Sequence, residues 1–315
     1  MALPLTPTVP PQLARPRKAL PDEADGWVYE PKYDGFRAVA FVDGDSVELQ
    51  SRNGKDLTRY FPELAFPAGR YVLDGEIVIE SDDGGEEFNL LGQRIHPAAS
   101  RIERLAAETP ATYIAFDLLA RDDEVLLELP WTERRAALEA LVSDPVKLAP
   151  YVETAADAEQ WLHSAEGVIA KQRDAPYKPG ERTGMVKIKR VRTMDAVVIG
   201  WRPGKAEGTV GAIILALYTP EGELRVVGHS SGFTAKQKRE LVETLKPYET
   251  GERGSGEASR WTQGRDLEWV GLRPELVVEV TYDHASDGRI RHGAKVQRWR
   301  DDKDPADCTI DQLDA

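Results

Sequence analysis

The residue in this chain with the clearest capacity for covalent chemistry is Lys32, which is followed closely by a carboxylate, Asp34, and by Gly35. A lysine amine attacks an electrophile only after it has lost its proton, so a nucleophilic lysine needs a particular setting. Apolar residues on both sides predict a strand, a sharp turn and a second strand, with Lys32 where the strands meet. Taken alone, this pattern is better explained by an ordinary salt-bridged lysine in a hairpin.

Two carboxylates lie beside apolar runs further along the chain. Glu76 lies within the predicted strand Tyr71–Ile79, and Glu166 opens a short apolar strand that ends at Lys171. These strands would place both charges at defined positions in a sheet.

A pair of lysines shares one predicted strand. The sequence of Met185–Lys189 alternates, so Lys187 and Lys189 fall on the same face. Two cations on one face are costly unless an anion lies there. A solvated edge strand is an equally good explanation of this segment by itself.

Length, charge and cysteine content limit the possible classes of protein. A chain of 315 residues predicts two domains, each with its own core. The net charge of −13 provides no general attraction for nucleic acid, so a polyanion must be bound by local patches. The single cysteine, Cys308, excludes an internal disulfide and fits a reducing cytoplasm.

The sequence also predicts no association with a membrane. The segment Met1–Arg17 is rich in proline and lacks the apolar core of a signal peptide. No run approaches the roughly 18 apolar residues that a membrane span requires. We therefore expect a cytoplasmic protein.

The first domain is predicted to extend over residues 1–190 and to mix strands with helices. A capping-box spacing of Ser100 and Glu103 predicts the start of one helix, and Thr132 is predicted to cap another. The predicted strands are Phe36–Val42, Val47–Gln50, Tyr71–Ile79, Thr112–Leu119 and Met185–Lys189, and the predicted helices are Ser100–Ala107, Thr132–Val142 and Ala156–Ser164.

The second domain is predicted to extend over residues 191–315 and to consist mostly of strands. One helix should begin after Thr234, which has Gln237 at the capping-box spacing, and should end before Pro247. The segment Gly251–Ser259 is predicted to be a flexible loop. The predicted strands are Ala196–Trp201, Gly211–Tyr218, Leu224–Ser230 and Leu276–Tyr282. Several strands with one helix indicate a small barrel of the OB type.

Taken together and in this order, these blocks resemble the nucleotidyltransferase motifs of ATP-dependent DNA ligases. The small stand-alone bacterial ligases associated with end-joining repair are the most similar members. The resemblance covers nearly the whole chain, although family members often have tryptophan where Met185 stands. It implies an α+β fold, in which an adenylation domain with antiparallel sheets and flanking helices precedes an OB-fold β-barrel.

The resemblance also implies a reaction in three steps, with ATP as cosubstrate. The lysine corresponding to Lys32 attacks the α-phosphate of ATP, giving lysyl-AMP and pyrophosphate. The AMP then moves to a DNA 5′-phosphate, and the adjacent 3′-hydroxyl displaces it to seal the break.

The same resemblance implies nucleotide-binding roles for further residues. Glu30 matches the residue that contacts the adenine edge, and Phe116 matches the aromatic that stacks on the base. By itself Phe116 would more simply be a core phenylalanine. Arg37 and Arg52 match arginines that hold sugar and phosphate oxygens, which a guanidinium binds through two parallel hydrogen bonds.

The remaining matched positions concern phosphates and a divalent cation. Glu76 and Glu166 match the acidic positions that hold ribose or the cation, and carboxylates with water are the ligands that Mg²⁺ prefers. Mn²⁺ is the alternative metal. The matched cations are Lys187 and Lys189, which face the phosphates, and Arg300 and Lys303, which orient the pyrophosphate.

The family implies a monomer that acts on nicks or ends of double-stranded DNA. End-joining proteins such as Ku and a primase-polymerase are implied partners, and the bacterial nucleoid is the implied location. An RNA ligase or a capping guanylyltransferase shares the lysine chemistry. The DNA-ligase form of the last motif, next to an OB-like domain, argues against an RNA ligase, and incubation with labelled ATP or GTP would exclude a capping enzyme. A non-catalytic nucleic-acid-binding protein with a decayed transferase domain is the alternative from another class.

Overall fold

The computed structural model divides the chain into two compact units, Met1–Arg190 and Val191–Ala315. It describes residues 3–81, 85–256, 267–286, 288–291 and 293–313.

The first unit contains two sheets and several helices. Its strands are β1 (Arg15–Pro16), β2 (Trp27–Pro31), β3 (Phe36–Gly44), β4 (Ser46–Ser51), β5 (Gly69–Val78), β6 (Thr112–Arg121), β7 (Glu124–Val125), β8 (Lys147–Leu148), β9 (Gly167–Gln172) and β10 (Met185–Lys189). Its helices are α1 (Phe88–Arg94), α2 (Ala99–Glu108), α3 (Trp131–Leu141), α4 (Ala155–Ala158) and α5 (Trp161–Ser164).

The two sheets have different strand orders. One runs β4-β3-β5-β6-β7 with β8 beside β6, and the other runs β1-β10-β9-β2. Pairing is antiparallel except between β1 and β10 and between β6 and β8. Strands β2 and β3 therefore belong to different sheets. The turn that carries Lys32 joins the sheets and does not close a hairpin between its flanking strands.

The larger sheet packs against helices α1 and α3. Leu91 of α1 and Leu138 of α3 are fully buried and belong to one apolar cluster with Leu73 and Leu118 of the sheet. This packing fixes strands β3, β5 and β6, which carry several of the predicted site residues.

Three details of the predicted helices are wrong. Helix α2 begins at Ala99, and no side chain caps it, so Ser100 is not its N-cap. Helix α3 begins directly after Pro130, which places Thr132 inside the helix. Proline is tolerated at this boundary because its missing N–H is not needed there.

The third detail is the single helix predicted for Ala156–Ser164. The structure forms two short helices in that region, α4 and α5. The side chain of Thr154 accepts a hydrogen bond from the N–H of Asp157 and so starts α4 earlier than predicted. Each piece contains only four residues, so tertiary packing and not helix propensity stabilises them.

The second unit is built mainly from one antiparallel sheet. Its strands are β11 (Arg192–Pro203), β12 (Val210–Tyr218), β13 (Leu224–Ser230), β14 (Glu249–Gly256), β15 (Leu267–Tyr282), β16 (Ala285–Ser286), β17 (Arg289–Ile290) and β18 (Lys295–Trp299). The sheet order is β13-β12-β11-β15-β14, with β18 beside β15. Helix α6 (Ala235–Leu245) starts with the predicted capping box of Thr234 and Gln237. Its Leu241 and Leu245 enter the core formed by the strands.

Strand β14 corrects the prediction of a flexible loop at Gly251–Ser259. Arg253 and Gly254 pair with Val270 and Trp269 of β15, and residues 257–259 lie outside the described residues. Glycine disfavours strands, but the long strand β15 supplies backbone partners that override this local preference. Among the described residues, no helix is long and apolar enough to cross a membrane.

A buried ion pair between Asp117 and Arg134 joins strand β6 to helix α3. Two hydrogen bonds of 2.8 and 3.0 Å link the side chains, which are only 3% and 2% exposed. We expect Asp117→Ala to lower the free energy of unfolding by about 3–5 kcal/mol, because Arg134 would remain buried without its counter-ion. Urea denaturation would measure the change.

An exposed ion pair of the same unit provides the control. Arg173 pairs with Glu153 at 3.4 Å, and the two side chains are 34% and 61% exposed. Glu153→Ala should therefore cost at most about 1 kcal/mol. Equal losses in the two variants would contradict the structural role of the buried pair.

Candidate active site

A cleft of about 810 Å³ opens in the first unit beside the turn that carries Lys32. The two sheets of this unit both contribute to its walls. The predicted site residues that line it are Glu30, Lys32, Arg37, Arg52, Glu76, Phe116 and Lys187.

Lys32 is positioned by its backbone as well as by its side chain. Its N–H donates to the carbonyl oxygen of Gly167 at 3.0 Å, and its Nζ donates to the carbonyl oxygen of Tyr33 at 3.1 Å. Gly167 has φ +132°, and a Cβ there would lie 2.1 Å from the carbonyl oxygen of Ile188. Only glycine fits this position, so the segment after Glu166 holds the lysine turn against the smaller sheet.

The other side of the turn packs directly on the larger sheet. A Cβ at Gly35 would lie 2.3 Å from the carbonyl oxygen of Ile77 and 2.8 Å from Cγ of Glu76. The absence of a side chain at Gly35 thus allows the lysine turn to approach β5. This contact brings Glu76 to the same cleft as Lys32.

The carboxyl group of Glu76 is in an unusual electrostatic setting. Burial raises its pKa to about 8, against the opposing effects of Arg37, Lys32 and a hydrogen bond from the backbone of Gly35. A group of this kind is stabilised as an anion when an additional cation binds nearby. Among the described residues, no group of three or more His, Cys, Asp or Glu could hold a metal ion. A divalent cation at Glu76 would therefore also need phosphate oxygens or water as ligands.

Glu166 does not line the cleft, but its charge acts on Glu86, a carboxyl group on which the charge of Lys32 also acts. Burial raises the pKa of Glu86 to about 7, and the charges of Asp34 and Glu166 raise it further while Lys32 lowers it. Glu86 was missed by the sequence analysis because it lies in a polar stretch with no periodic pattern.

Arg37 is held rigidly at the cleft by Asp74. Nε and Nη2 of Arg37 donate to the two carboxylate oxygens at 3.0 and 2.6 Å. The fully buried Asp74 also accepts a 2.6 Å hydrogen bond from the hydroxyl of Tyr177. Arg37 reaches the ring of Phe116, whose centroid lies 5.3 Å from the guanidinium carbon. The predicted arginine is thus placed beside the predicted stacking aromatic.

Lys187 lies among other cations. Burial lowers its pKa, and the charges of Lys189, Lys32, Arg52 and Arg182 lower it further. Such a concentration of positive charge favours the binding of an anion with several negative oxygens. Lys189 follows on the same face of β10, is exposed and does not line the cleft, whereas Arg182, which the sequence analysis missed, does.

Glu30, Phe116 and Lys171 form another group in the cleft. Nζ of Lys171 donates to the carboxylate of Glu30 and, at 3.0 Å, to the carbonyl oxygen of Phe116. The sequence analysis named Lys171 only as the end of a strand. The sequence feature that could have indicated a role for Lys171 is a charged residue directly after an apolar run.

Arg300 and Lys303 belong to the second unit. Arg300 makes hydrogen bonds of 2.9 and 3.0 Å with Asp195 and of 2.8 Å with Asp302, and its side chain is 17% exposed. The backbone N–H of Lys303 donates to the carbonyl oxygen of Arg300 at 3.2 Å. Arg300 thus also contributes ion pairs within its own unit.

Two family models match the chain. The model of the ATP-dependent DNA ligase domain matches residues 11–189, and the model of the ATP-dependent DNA ligase C-terminal region matches residues 206–303.

Individual proteins show the same similarity. DNA ligase C1 of Mycolicibacterium smegmatis is 46% identical over 336 residues, which cover 100% of this chain and 96% of that protein. The multifunctional non-homologous end joining protein LigD of the same organism is 32% identical over 304 residues, which cover 92% of this chain and 38% of LigD. The crystal structure of the ligase domain of LigD from M. tuberculosis is 30% identical with a TM-score of 0.54, and the match covers 96% of this chain and 98% of that domain.

Proposed function

The chain belongs to the ATP-dependent DNA ligase family, and from that premise we propose that Lys32 is the nucleophile that carries AMP from ATP to DNA. The enzyme joins 3′-hydroxyl and 5′-phosphate ends of DNA and uses ATP. The observation that carries the assignment of Lys32 is its place in the cleft, where Gly167 and Gly35 fix its turn next to Glu76 and a group of cations.

The first chemical step forms the lysyl-AMP. Nζ of Lys32 attacks the α-phosphorus, the bond to the pyrophosphate oxygen breaks, and the lysine proton passes to solvent. Arg52 and Lys187 bind the phosphate oxygens and stabilise the charge that develops there. Lys189 lies on the same face of β10 as Lys187 and adds to the positive charge. In the second step an oxygen of the DNA 5′-phosphate attacks the phosphorus of the lysyl-AMP, and the bond to Nζ of Lys32 breaks, which frees the lysine. In the third step the 3′-hydroxyl attacks the 5′-phosphorus and AMP leaves, which forms the phosphodiester.

In this proposal, separate residues bind the nucleoside and the divalent cation. Glu30 and Arg37 contact the base and the ribose or phosphate oxygens, and Phe116 stacks on the base. Glu76 and Glu166 would hold Mg²⁺ or Mn²⁺, and the raised pKa of Glu76 supports this role because a cation would favour its charged form. The cation would supply charge neutralisation at the phosphates.

We assign residues 1–190 to the adenylation domain and residues 191–315 to the OB-fold domain, and the division of the chain into two compact units supports this. The similarity to LigD supports a role in end joining. We propose Ku and a primase-polymerase as its partners. We propose that the enzyme acts as a monomer in the cytoplasm, at the nucleoid of a bacterium.

Labelling with nucleotide tests the proposed function. The protein is incubated with Mg²⁺ and α-labelled ATP or GTP, and the labelled residue is identified by mass spectrometry. We expect AMP on Lys32 and, after addition of nicked duplex DNA, release of AMP with sealing of the nick. Label from GTP alone would indicate a capping guanylyltransferase, and sealing of RNA alone would indicate an RNA ligase. No covalent label with either nucleotide would refute the proposal.

Binding of DNA should depend strongly on salt. The net charge is −13, so contact with phosphates must come from local groups such as Lys187 and Lys189. We expect the affinity for a nick to fall steeply with added salt. The double variant Lys187→Met/Lys189→Met should reduce the log–log slope by about 0.9 for each DNA phosphate that the protein no longer neutralises. Fluorescence anisotropy with labelled nicked DNA measures this slope.

The control for the salt experiment is Lys236→Met, which removes an exposed lysine that pairs with Glu240 at 3.6 Å. Its slope should equal that of the unmodified protein. An affinity that does not change with salt, or equal slopes in all three proteins, would contradict this role of Lys187 and Lys189.

Lys303 should be required for the first step alone. Orientation of the pyrophosphate affects only the attack of Lys32 on ATP, so Lys303→Ala should slow adenylation severely. The same variant should seal a nick that already carries 5′-adenylate at nearly the normal rate. Arg300→Ala should share this behaviour and also lower the melting temperature, because it leaves Asp195 without its ion-pair partner. Equal loss in both assays for Lys303→Ala would assign that residue to DNA binding or to the fold.

A further inference from the structure

A buried lysine binds two of the residues that form the nucleoside part of the cleft. Nζ of Lys171 lies 3.0 and 2.8 Å from the two carboxylate oxygens of Glu30, and the two side chains are only 5% and 3% exposed. The same Nζ lies 3.0 Å from the carbonyl oxygen of Phe116 and 4.9 Å from the centroid of its ring. All three residues line the cleft. One lysine therefore fixes the position of both the acidic group and the aromatic ring.

The charge of Lys171 also controls the protonation state of the buried Glu30 carboxyl group. Burial raises the pKa of Glu30, and Lys171 opposes this through its charge and its hydrogen bond. The charges that act on Glu30 from neighbouring elements are those of Arg135, which lowers its pKa, and of Asp117, which raises it. Without Lys171, a carboxyl group in this environment would be far more readily protonated.

We propose that Lys171 is a positioning residue that sets base specificity, because it keeps Glu30 an anionic hydrogen-bond acceptor and thereby favours 6-amino purines over 6-oxo purines. The inference rests on the proposed function, in which Glu30 contacts the edge of the adenine. It concerns the choice of nucleotide and not the attack of Lys32.

The chemistry of the two kinds of base explains the selection. An ionised carboxylate accepts hydrogen bonds and cannot donate one, so it pairs with the 6-amino group of adenine. With the base held in the same position, the 6-oxo group of hypoxanthine or guanine takes the place of the amine. This group is itself an acceptor, and it would face the anion with no proton between them. A protonated Glu30 could donate its O–H to that oxygen, so loss of the Lys171 charge removes the discrimination.

The test compares ATP with inosine triphosphate, which places an oxo group at position 6 and a proton on N1. The rate of covalent attachment to the full-length protein is measured at subsaturating concentrations of each nucleotide, and the ratio of the two rates gives the specificity. We expect Lys171→Met to lower the ATP preference by at least about tenfold. Glu30→Gln should lower it as well, because its amide can donate a hydrogen bond to the oxo group.

The dependence of the ratio on pH separates this role from a purely structural one. In Lys171→Met the ATP preference should rise as the pH increases from about 6 to about 9, since Glu30 loses its proton in that direction. In the unmodified protein the ratio should change less over the same range, because Lys171 lowers the pKa of Glu30. The matched control is Lys178→Met, which removes a partly exposed lysine paired with Glu128 at 2.9 Å and should leave the ratio unchanged.

Several outcomes would overturn the inference. A fall in both rates by the same factor at every pH would mean that Lys171 only supports the fold. If Lys171→Met does not fold, Glu30→Gln decides alone, and an unchanged ratio in that variant refutes the proposal. Failure of the unmodified protein to attach AMP would instead refute the proposed function, so the two failures can be distinguished.

Discussion

Lys32→Ala should abolish the covalent attachment of AMP. The proposed reaction requires an amine at this point of the cleft, and a methyl group in its place leaves no nucleophile there. Lys32→Arg should fail as well, because a guanidinium remains protonated and cannot attack phosphorus. The mass of the intact protein after incubation with ATP and Mg²⁺ measures the effect directly. We expect no species that carries AMP in either variant.

The same variants should retain the last step of the reaction. A nick that already carries 5′-adenylate needs no new attack by Lys32, so both variants should still seal it and thereby show that they are folded. Lys147→Ala, which removes an exposed lysine paired with Glu80 at 2.6 Å, is the control and should attach AMP normally. Attachment of AMP to Lys32→Ala or Lys32→Arg would exclude Lys32 as the nucleophile.

Glu76→Ala and Glu166→Ala should each reduce adenylation severely. Either change removes a carboxylate proposed to bind the divalent cation, so the charge on the phosphates would be neutralised less well. The rate of AMP attachment is measured over a range of Mg²⁺ concentrations. We expect both variants to require more Mg²⁺ for half-maximal rate than the unmodified protein.

Glu80→Ala is the matched control for the two glutamate variants. Glu80 lies in the same unit and forms an exposed ion pair with Lys147, outside the cleft. Its removal should change neither the maximal rate nor the Mg²⁺ requirement. Unchanged Mg²⁺ dependence in Glu76→Ala and Glu166→Ala would show that these glutamates have structural roles only.

The sequence alone determined much of the local structure and the family. Alternation identified Met185–Lys189 as a strand with its two lysines on one face, and Thr234 with Gln237 located the start of α6. The predicted α+β fold, an adenylation domain followed by an OB-fold domain, is confirmed by the two family models. These features depend on residues close together in the chain or on motifs in a fixed order, and both can be read from a sequence.

Local pattern was less reliable where the ends of elements compete with tertiary contacts. Ser100 has the spacing of an N-cap, yet helix α2 begins one residue earlier without a side-chain cap. The glycine-rich segment at Gly251 was predicted to be a loop, yet it pairs with β15. Cap and strand preferences are each worth about 1 kcal/mol, which pairing with a neighbouring strand can exceed.

Only the tertiary structure decided how the cleft is assembled. Strand β2 and strand β3 enter different sheets, so Lys32 lies where the sheets meet and reaches Gly167 from far along the chain. Glu30 and Lys171 are 141 positions apart, and neither residue gives a sequence signal that the other is its partner. The pairing of β2 with β9 sets this contact, and the buried pair persists because each charge compensates the desolvation of the other. The periodicity of a sequence indicates which face of a strand is buried. Which strand pairs with it depends on the packing of the whole domain.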